Sequence, residues 1–323
     1  MLKVLTINTA AALSLMALAL PALAEDVTIR AVSGWQAGSS LSERYETFID
    51  QVNERGEGDV RIDFLGGSPA IGSPLQIVKK VQGGVYGMAY ITGGWYTNVL
   101  PEADFFKLSE VDIAELRQNG GYEYIQKLHA EKGLHYLGRT YDMSPYYLYL
   151  NKPIDSADLS GIDIRVSTAY QAFFSALGAS THSAPVPEVY TLMERGVVDG
   201  YGWVSEGIFD YSWDQVTDYR VEPGFFTGNG HVVMNLDLWE SMSEDQQAML
   251  NEMMLELERG NYLVAENDAQ EIARQTEAGI ETIVLPPDQA EIWSETARRV
   301  GWEEARKINA TVADELRAFI TQQ

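Results

Sequence analysis

The sequence of 323 residues has no cysteine, only four histidines, and 23 basic residues against 47 acidic ones. Without cysteine, disulfides, thiol catalysis and cysteine metal sites are excluded. The formal net charge of −24 argues against nucleic acid as a partner, because phosphate would be repelled. His129, His135, His182 and His231 have no metal-ligand spacing, and the chain has neither a nucleophile elbow nor a phosphate-binding glycine loop. We therefore expect no enzyme, no metal and no cofactor, and a periplasmic hydrolase is a weak alternative.

Long apolar runs are also scarce, and the one at the start of the chain covers residues 10–20, after Lys3. That run is too short to cross a bilayer, and the small residues Ala22 and Ala24 match a cleavage site. We predict that residues 1–24 are a signal peptide, that Glu25 begins the mature chain, and that the protein is exported to the periplasm. A hydrophobic content of 46% over the remaining length suits a globular protein of two domains.

The amino-terminal third alternates strand and helix patterns. Residues 27–32, 60–65 and 85–91 are predicted strands, and amphipathic helices begin near Leu41 and at the Ser73-Pro74 pair. This β-α-β-α-β order is typical of a parallel sheet. Further along, residues 135–139 and 146–151 are predicted strands on either side of a tyrosine-rich loop.

A long helical pattern opens with the capping box Ser243-Glu-Asp-Gln246 and continues to about residue 278. The residues on one face of this predicted helix are apolar at first and become increasingly polar along the chain. This change favours a strut that lies across two domains over a coiled coil.

Arg165 is the strongest candidate binding residue. Residues 162–166 alternate apolar and polar side chains, which predicts a short strand with Arg165 near its carboxyl end. Ser167 or Thr168 is a possible cap for the helix that follows. Open α/β sheets bind ligands at this edge, and a guanidinium fork beside a helix amino terminus suits a carboxylate. The alternative is a surface arginine paired with Asp163 or Glu188.

The motifs around Arg165 resemble the signature of a known family. They are the runs Leu159-Ser-Gly161-Ile-Asp-Ile-Arg165-Val, Pro187-Glu188-Val-Tyr190 and Gly196-Val-Val-Asp199-Gly200. In order and spacing they resemble DctP-type solute-binding proteins, the periplasmic receptors of tripartite (TRAP) transporters. The likeness extends along nearly the whole mature chain.

The resemblance implies an α/β, two-lobed periplasmic binding protein fold with a long helix bridging both lobes. Lobe I would hold residues 25–142 and about 235–273, and lobe II residues 143–234 and about 274–323. It also implies that Arg165 grips the carboxylate of a small organic acid, and that the partners are the TRAP membrane subunits. We expect a monomer. Asp199 and Tyr190 belong to the signature, and we expect them to be structural.

Two departures from the family pattern narrow the expected ligand. Tyr201-Gly202-Trp203 stands where many relatives have Gln-Glu-Asn. Many relatives also carry a second arginine in the neighbourhood that here reads Ser144-Pro145-Tyr146-Tyr147. Arg139 lies further back and is either a substitute for that arginine or a surface residue. The loss of polar partners disfavours sugar acids.

Aromatic residues take the place of these polar groups at loop and strand-end positions. They offer flat contact surface for an aromatic acid or a cationic group, although core packing is the alternative for each. Gln36 and Ser167 join the predicted ligand contacts, and Glu206 is a candidate selector for a cationic or hydroxylated group. We predict a monocarboxylate with an aromatic, bulky or zwitterionic body; a sensory receptor that presents such a ligand is the alternative. The aromatic candidates are Trp35, Tyr90, Trp95, Tyr141, Tyr146 and Trp203.

Overall fold

The structure, a computed structural model, describes residues 26–56 and 59–322. The predicted signal peptide and Glu25 lie outside the described residues. The strands are β1 (Val27–Ser33), β2 (Val60–Gly67), β3 (Met88–Ile91), β4 (Leu134–Leu150), β5 (Asp163–Val166), β6 (Ser180–Ser183), β7 (Gly200–Val204), β8 (Tyr219–Glu222), β9 (Thr227–Asn235) and β10 (Glu281–Val284). The α-helices are α1 (Ser40–Arg55), α2 (Ile77–Gln82), α3 (Ile113–Asn119), α4 (Gly121–Ala130), α5 (Gln171–Ala176), α6 (Val189–Glu194), α7 (Leu236–Ser241), α8 (Glu244–Arg259), α9 (Val264–Glu277) and α10 (Pro287–Ile320).

The strands form one connected sheet in the order β2-β1-β3-β9-β4-β7-β5-β6, and β8 pairs with both β4 and β10. β1 runs parallel to β2 and β3, as the β-α-β-α-β pattern predicted. β5 runs parallel to β6 and β7 in the same way. Two parallel α/β units therefore lie at opposite ends of the sheet, and we call them lobe I and lobe II.

β4 joins the two lobes as one strand of 17 residues. Its first part pairs with β9, and its second part pairs with β7 and β8. The predicted loop between two strands is wrong. The register instead shifts inside the strand between Thr140 and Ser144, where Tyr141 (φ 52°) and Met143 (φ 67°) take left-handed backbone conformations. Such bulged strands lose regular alternation, so the sequence pattern resembled a loop.

The predicted strut consists of α8, a 3₁₀ turn at Gly260–Leu263, and α9. Its capping box is present, with the Ser243 and Gln246 side chains each bonded to the other's backbone. On lobe I, Glu258 accepts hydrogen bonds from Arg117. On lobe II, Gln275 donates to the backbone oxygen of Ser205 at 2.7 Å. The helical segment therefore binds both lobes.

The predicted lobe bounds stay a prediction. Two elements bear on where the lobes divide, β9 and α10. β9 pairs along its length with β3 and with the first part of β4, so it belongs to the sheet of lobe I. α10 packs against both the 3₁₀ helix Pro101–Leu108 and α5. It bends at Asn309, whose backbone is extended (φ −156°, ψ 96°). In the described part of the chain, no helix is both long and apolar enough to span a membrane.

Candidate functional site

Arg165 lies on β5 and its side chain is 2% exposed. Its Nε donates to the backbone oxygen of Ala184 at 2.8 Å, and its Nη1 donates to the hydroxyl of Tyr170 at 3.2 Å. That hydroxyl in turn donates to the backbone oxygen of Gly202 at 2.8 Å. The guanidinium is therefore held in one orientation by groups from three neighbouring segments of lobe II.

No carboxylate of residues 26–56 or 59–322 forms an ion pair with Arg165. Asp163, the partner expected for a surface arginine, instead contacts His182 Nε2 at 2.8 Å. Glu188 lies in an exposed 3₁₀ turn that precedes α6. A buried cation with no counterion is costly, and this cost is relieved when an anionic ligand binds beside it.

A small inner cavity of about 40 Å³ lies beside Arg165, between the two lobes. Lobe I contributes residues that follow β1 and β3, and lobe II contributes residues from β5, β7 and the segments after them. Seven predicted residues line this cavity: Trp35, Trp95, Tyr141, Tyr146, Arg165, Ser167 and Trp203.

Aromatic rings form much of the cavity wall. The Trp35 and Trp95 rings are 5.2 Å apart, and Trp203 packs edge-on against Trp213 at 5.2 Å. The Trp203 indole nitrogen donates to the backbone oxygen of Glu206 at 3.0 Å, which fixes the ring. Burial raises the pKa of the Tyr146 hydroxyl, so it stays neutral and can donate a hydrogen bond.

Lys107 and Asp104 also line the cavity, and the sequence reasoning missed both. The Lys107 ammonium lies 2.5 Å from the Asp104 carboxylate and also donates to the backbone oxygen of Ala169 in lobe II. Both residues lie on the 3₁₀ helix Pro101–Leu108. A 3₁₀ helix lacks the 3.6-residue period by which helices are found in a sequence, so this segment was not recognised. The one sequence signal was Lys107 itself, a single basic residue among acidic and apolar neighbours.

Arg139 and Glu206, two predicted ligand contacts, do not line the cavity. Arg139 is fully buried and its Nε lies 3.1 Å from the Asp142 carboxylate, whose pKa burial raises to about 6. Glu206 accepts two hydrogen bonds from Arg44 of lobe I, at 2.8 and 3.2 Å. Burial raises the pKa of Glu206, although Arg44 opposes this shift. Each side chain has an internal partner of opposite charge in this structure, and the ligand contact expected for it stays a prediction.

Tyr90 and Gln36 are also absent from the cavity wall. Tyr90 is fully buried in lobe I, with its ring 5.2 Å from that of Tyr45 and 4.6 Å from that of Trp35. It supports Trp35 from behind. Gln36 is exposed, and its backbone oxygen accepts hydrogen bonds from Ser39 at the start of α1. Neither side chain reaches the space beside Arg165.

Asp199, part of the signature, lies behind the site. Its carboxylate accepts from the backbone nitrogen of Asp163 at 2.8 Å and lies 2.7 Å from the ammonium of Lys152. These bonds join the start of β5 to the start of β7. Asp199 therefore positions the strand that carries Arg165.

An outer groove of about 590 Å³ begins where the inner cavity ends. Lobe I lines it with residues 68, 69 and 72–75, and lobe II with residues 183–187. Arg165 and Trp95 line both spaces. The arginine therefore lies at the junction of a narrow inner space and a wide outer one. Among the described residues, no cluster of three or more histidine, aspartate or glutamate side chains is arranged to hold a metal ion.

The sequence profile of one family matches residues 32–307, and that family is described as bacterial extracellular solute-binding protein, family 7 (DctP). The chain belongs to the DctP family. This confirms the resemblance drawn from the motifs around Arg165. The members of this family are solute-binding proteins, which agrees with the expectation that the chain is a receptor and not an enzyme.

Several individual proteins resemble this DctP-family chain at low identity. The monocarboxylate 2-oxoacid-binding periplasmic protein of Nostoc sp. is 24% identical over 72% of this chain and 66% of its own length. The ectoine-binding periplasmic protein TeaA of Halomonas elongata is 23% identical over 64% of this chain and 63% of its own. The matches thus span just under two thirds of these two relatives.

A solved structure covers more of the chain. A TRAP periplasmic solute-binding protein from Desulfovibrio salexigens with bound orotic acid matches with a TM-score of 0.81 at 22% identity. The match covers 90% of this chain and 96% of that one. This likeness confirms the predicted two-lobed α/β fold.

Proposed function

We propose that this DctP-family protein is the periplasmic receptor of a TRAP transporter and binds an organic acid by pairing its carboxylate with Arg165. The observation that carries the proposal is a guanidinium that is 2% exposed, fixed by Ala184 and Tyr170, and without a carboxylate partner in the described chain. A carboxylate at this place would receive charge-assisted hydrogen bonds from a pre-oriented donor.

The ligand is a monocarboxylate with an aromatic, bulky or zwitterionic body. The ring faces of Trp35, Trp95 and Trp203 support an apolar or aromatic body, because they border the cavity beside Arg165. The Lys107–Asp104 pair adds one group of each charge on the lobe I side. Relatives that bind 2-oxoacids, ectoine or orotic acid agree with this class of ligand.

The ligand is captured by closure of the two lobes, a hinge motion common to two-lobed receptors. β4 and the strut run through both lobes, so they are the connections about which the lobes turn. Lys107 and Ala169 meet across the cavity, as do Arg44 and Glu206 behind it. The closed monomer is the form that the membrane subunits of the transporter recognise.

A thermal-shift screen of organic acids followed by titration calorimetry tests this proposal. Replacing Arg165 with Met leaves the ligand carboxylate without its partner, so we expect an affinity loss of about 2–5 kcal/mol, at least about 30-fold. Arg61→Met is a matched control, because Arg61 is an exposed arginine whose partner, Asp63, is also on β2. Unchanged affinity in Arg165→Met, or no stabilisation by any acid, contradicts the proposal.

A further inference from the structure

The outer groove at the mouth of the cleft is lined mainly by apolar residues, and Arg165 is the only charged one among the described residues that line it. We propose that it is a second ligand subsite, which takes the uncharged apolar tail of a monocarboxylate whose head is held by Arg165. This inference rests on the proposed function and specifies its substrate class. It makes the protein a receptor for acids with extended hydrocarbon or aryl-alkyl bodies.

The sizes of the two spaces support this division. The inner cavity, about 40 Å³, has room for about three water molecules and hence for a carboxyl head with the first atoms of the body, which the rings of Trp35 and Trp203 border. The outer groove, about 590 Å³, is within the range of about 300–1,000 Å³ usual for small-molecule sites. Since Arg165 borders both, a bound head leaves the groove as the available space for a long body.

The walls of the groove suit an apolar occupant. Among the described residues that line it, Arg165 is the only charged one. Lobe I presents Leu75, which is 50% exposed, together with Pro69, Pro74 and the uncharged hydroxyls of Ser68 and Ser73. Lobe II presents Val186 between two further prolines. Proline and valine walls offer no counter-charge, so a second charge on the tail would lose its water without gaining a partner.

Both lobes contribute to the groove, so an extended tail would be held between them. Rigid proline walls lose little conformational freedom when they are covered. Trp95 stands at the junction with the inner cavity and offers a ring face to the first carbons of the tail. Affinity should therefore rise with tail length and level off once the groove is filled.

The test is calorimetry with two probe series, the straight-chain monocarboxylates from acetate to decanoate and the acids from benzoate to 4-phenylbutyrate. We expect affinity to rise about fourfold for each buried methylene. Leu75→Ser should weaken binding of the longest acids about three- to tenfold and leave the shortest unchanged. Leu65→Ser is the matched control, because Leu65 is 46% exposed on the same lobe and lines neither space.

The outcomes separate the two proposals. If acids bind through Arg165 but affinity does not depend on tail length, or Leu75→Ser binds like Leu65→Ser, the groove is not a subsite and the proposed receptor stands. If neither series binds but other acids do, the groove is likewise not a subsite for apolar tails, and the proposed receptor stands. If Arg165→Met binds every acid of both series as tightly as the wild type does, the tails bind without the arginine, and both proposals fail.

Discussion

The ion pair between Arg44 and Glu206 joins the two lobes and should control closure. Arg44 lies on α1 of lobe I, whereas Glu206 follows β7 of lobe II, 162 residues later in the chain. The perturbation is a double-mutant cycle of Arg44→Met and Glu206→Gln. Met keeps the length of the arginine stem, and Gln keeps the shape of the carboxylate without its charge.

The magnitude follows from burial and geometry. The two side chains are 22% and 9% exposed and share two hydrogen bonds. A largely buried, bidentate pair should exceed the 0.2–1 kcal/mol usual for exposed pairs, so we expect a coupling energy of about 1–2 kcal/mol. If the pair exists only in the closed state, ligand affinity falls about five- to thirtyfold.

Titration calorimetry measures the affinity, and small-angle X-ray scattering with and without ligand measures the closure. The control cycle is Arg299→Met with Glu303→Gln, an exposed pair within α10 that joins no lobes. We expect that cycle to leave ligand affinity unchanged. A coupling energy in ligand affinity no larger for Arg44 and Glu206 than for the control pair would refute the assignment of this contact to closure.

Three further predictions concern the core and the aromatic wall. Burial lowers the pKa of His129 to about 4, so its contribution to stability is present above its unfolded pKa of about 6.5 and is lost as the pH falls towards 4. In urea denaturation, His129→Gln should reduce the stability difference between pH 7.5 and 4.5 by about 2–3 kcal/mol, and an unchanged difference contradicts this. Gly230→Ala would bring a Cβ to 2.2 Å from the hydroxyl of fully buried Tyr90, and should cost about 1–3 kcal/mol of unfolding free energy; a smaller loss shows that this ring can move. Trp203→Phe should remove part of the fluorescence change on ligand binding, whereas Trp239→Phe on α7, whose ring stacks on His135 and lines neither the cavity nor the groove, should not; equal changes would place Trp203 outside the site.

Much of the fold could be predicted because local signals agree with it. The alternation over residues 162–166 predicted the strand of Arg165, and the Ser243 capping box predicted the start of α8. β6, at Ser180–Ser183, was missed because it is a polar, largely exposed edge strand, so no apolar alternation marks it. The turn at Gly260–Leu263 was also missed, since a short 3₁₀ segment barely disturbs a helical pattern.

The candidate site was harder to predict, because its composition depends on contacts that are distant in sequence. Nothing near Glu206 reveals that Arg44 neutralises it. Asp142 lies only three residues after Arg139, but positions i and i+3 face opposite sides of a regular strand, so this ion pair depends on the irregularity in β4. Arg165 could be selected because its strand end and its motif point to the same role, and the lack of a carboxylate partner among the described residues became visible only in the fold.

The most direct test of the central claim is a crystal structure of the protein with an acid found in the thermal-shift screen. We expect closed lobes and a ligand carboxylate oxygen at about 2.7–2.9 Å from a guanidinium nitrogen of Arg165. A ligand bound in the cleft with its carboxylate away from Arg165, or bound outside the cleft, would contradict it.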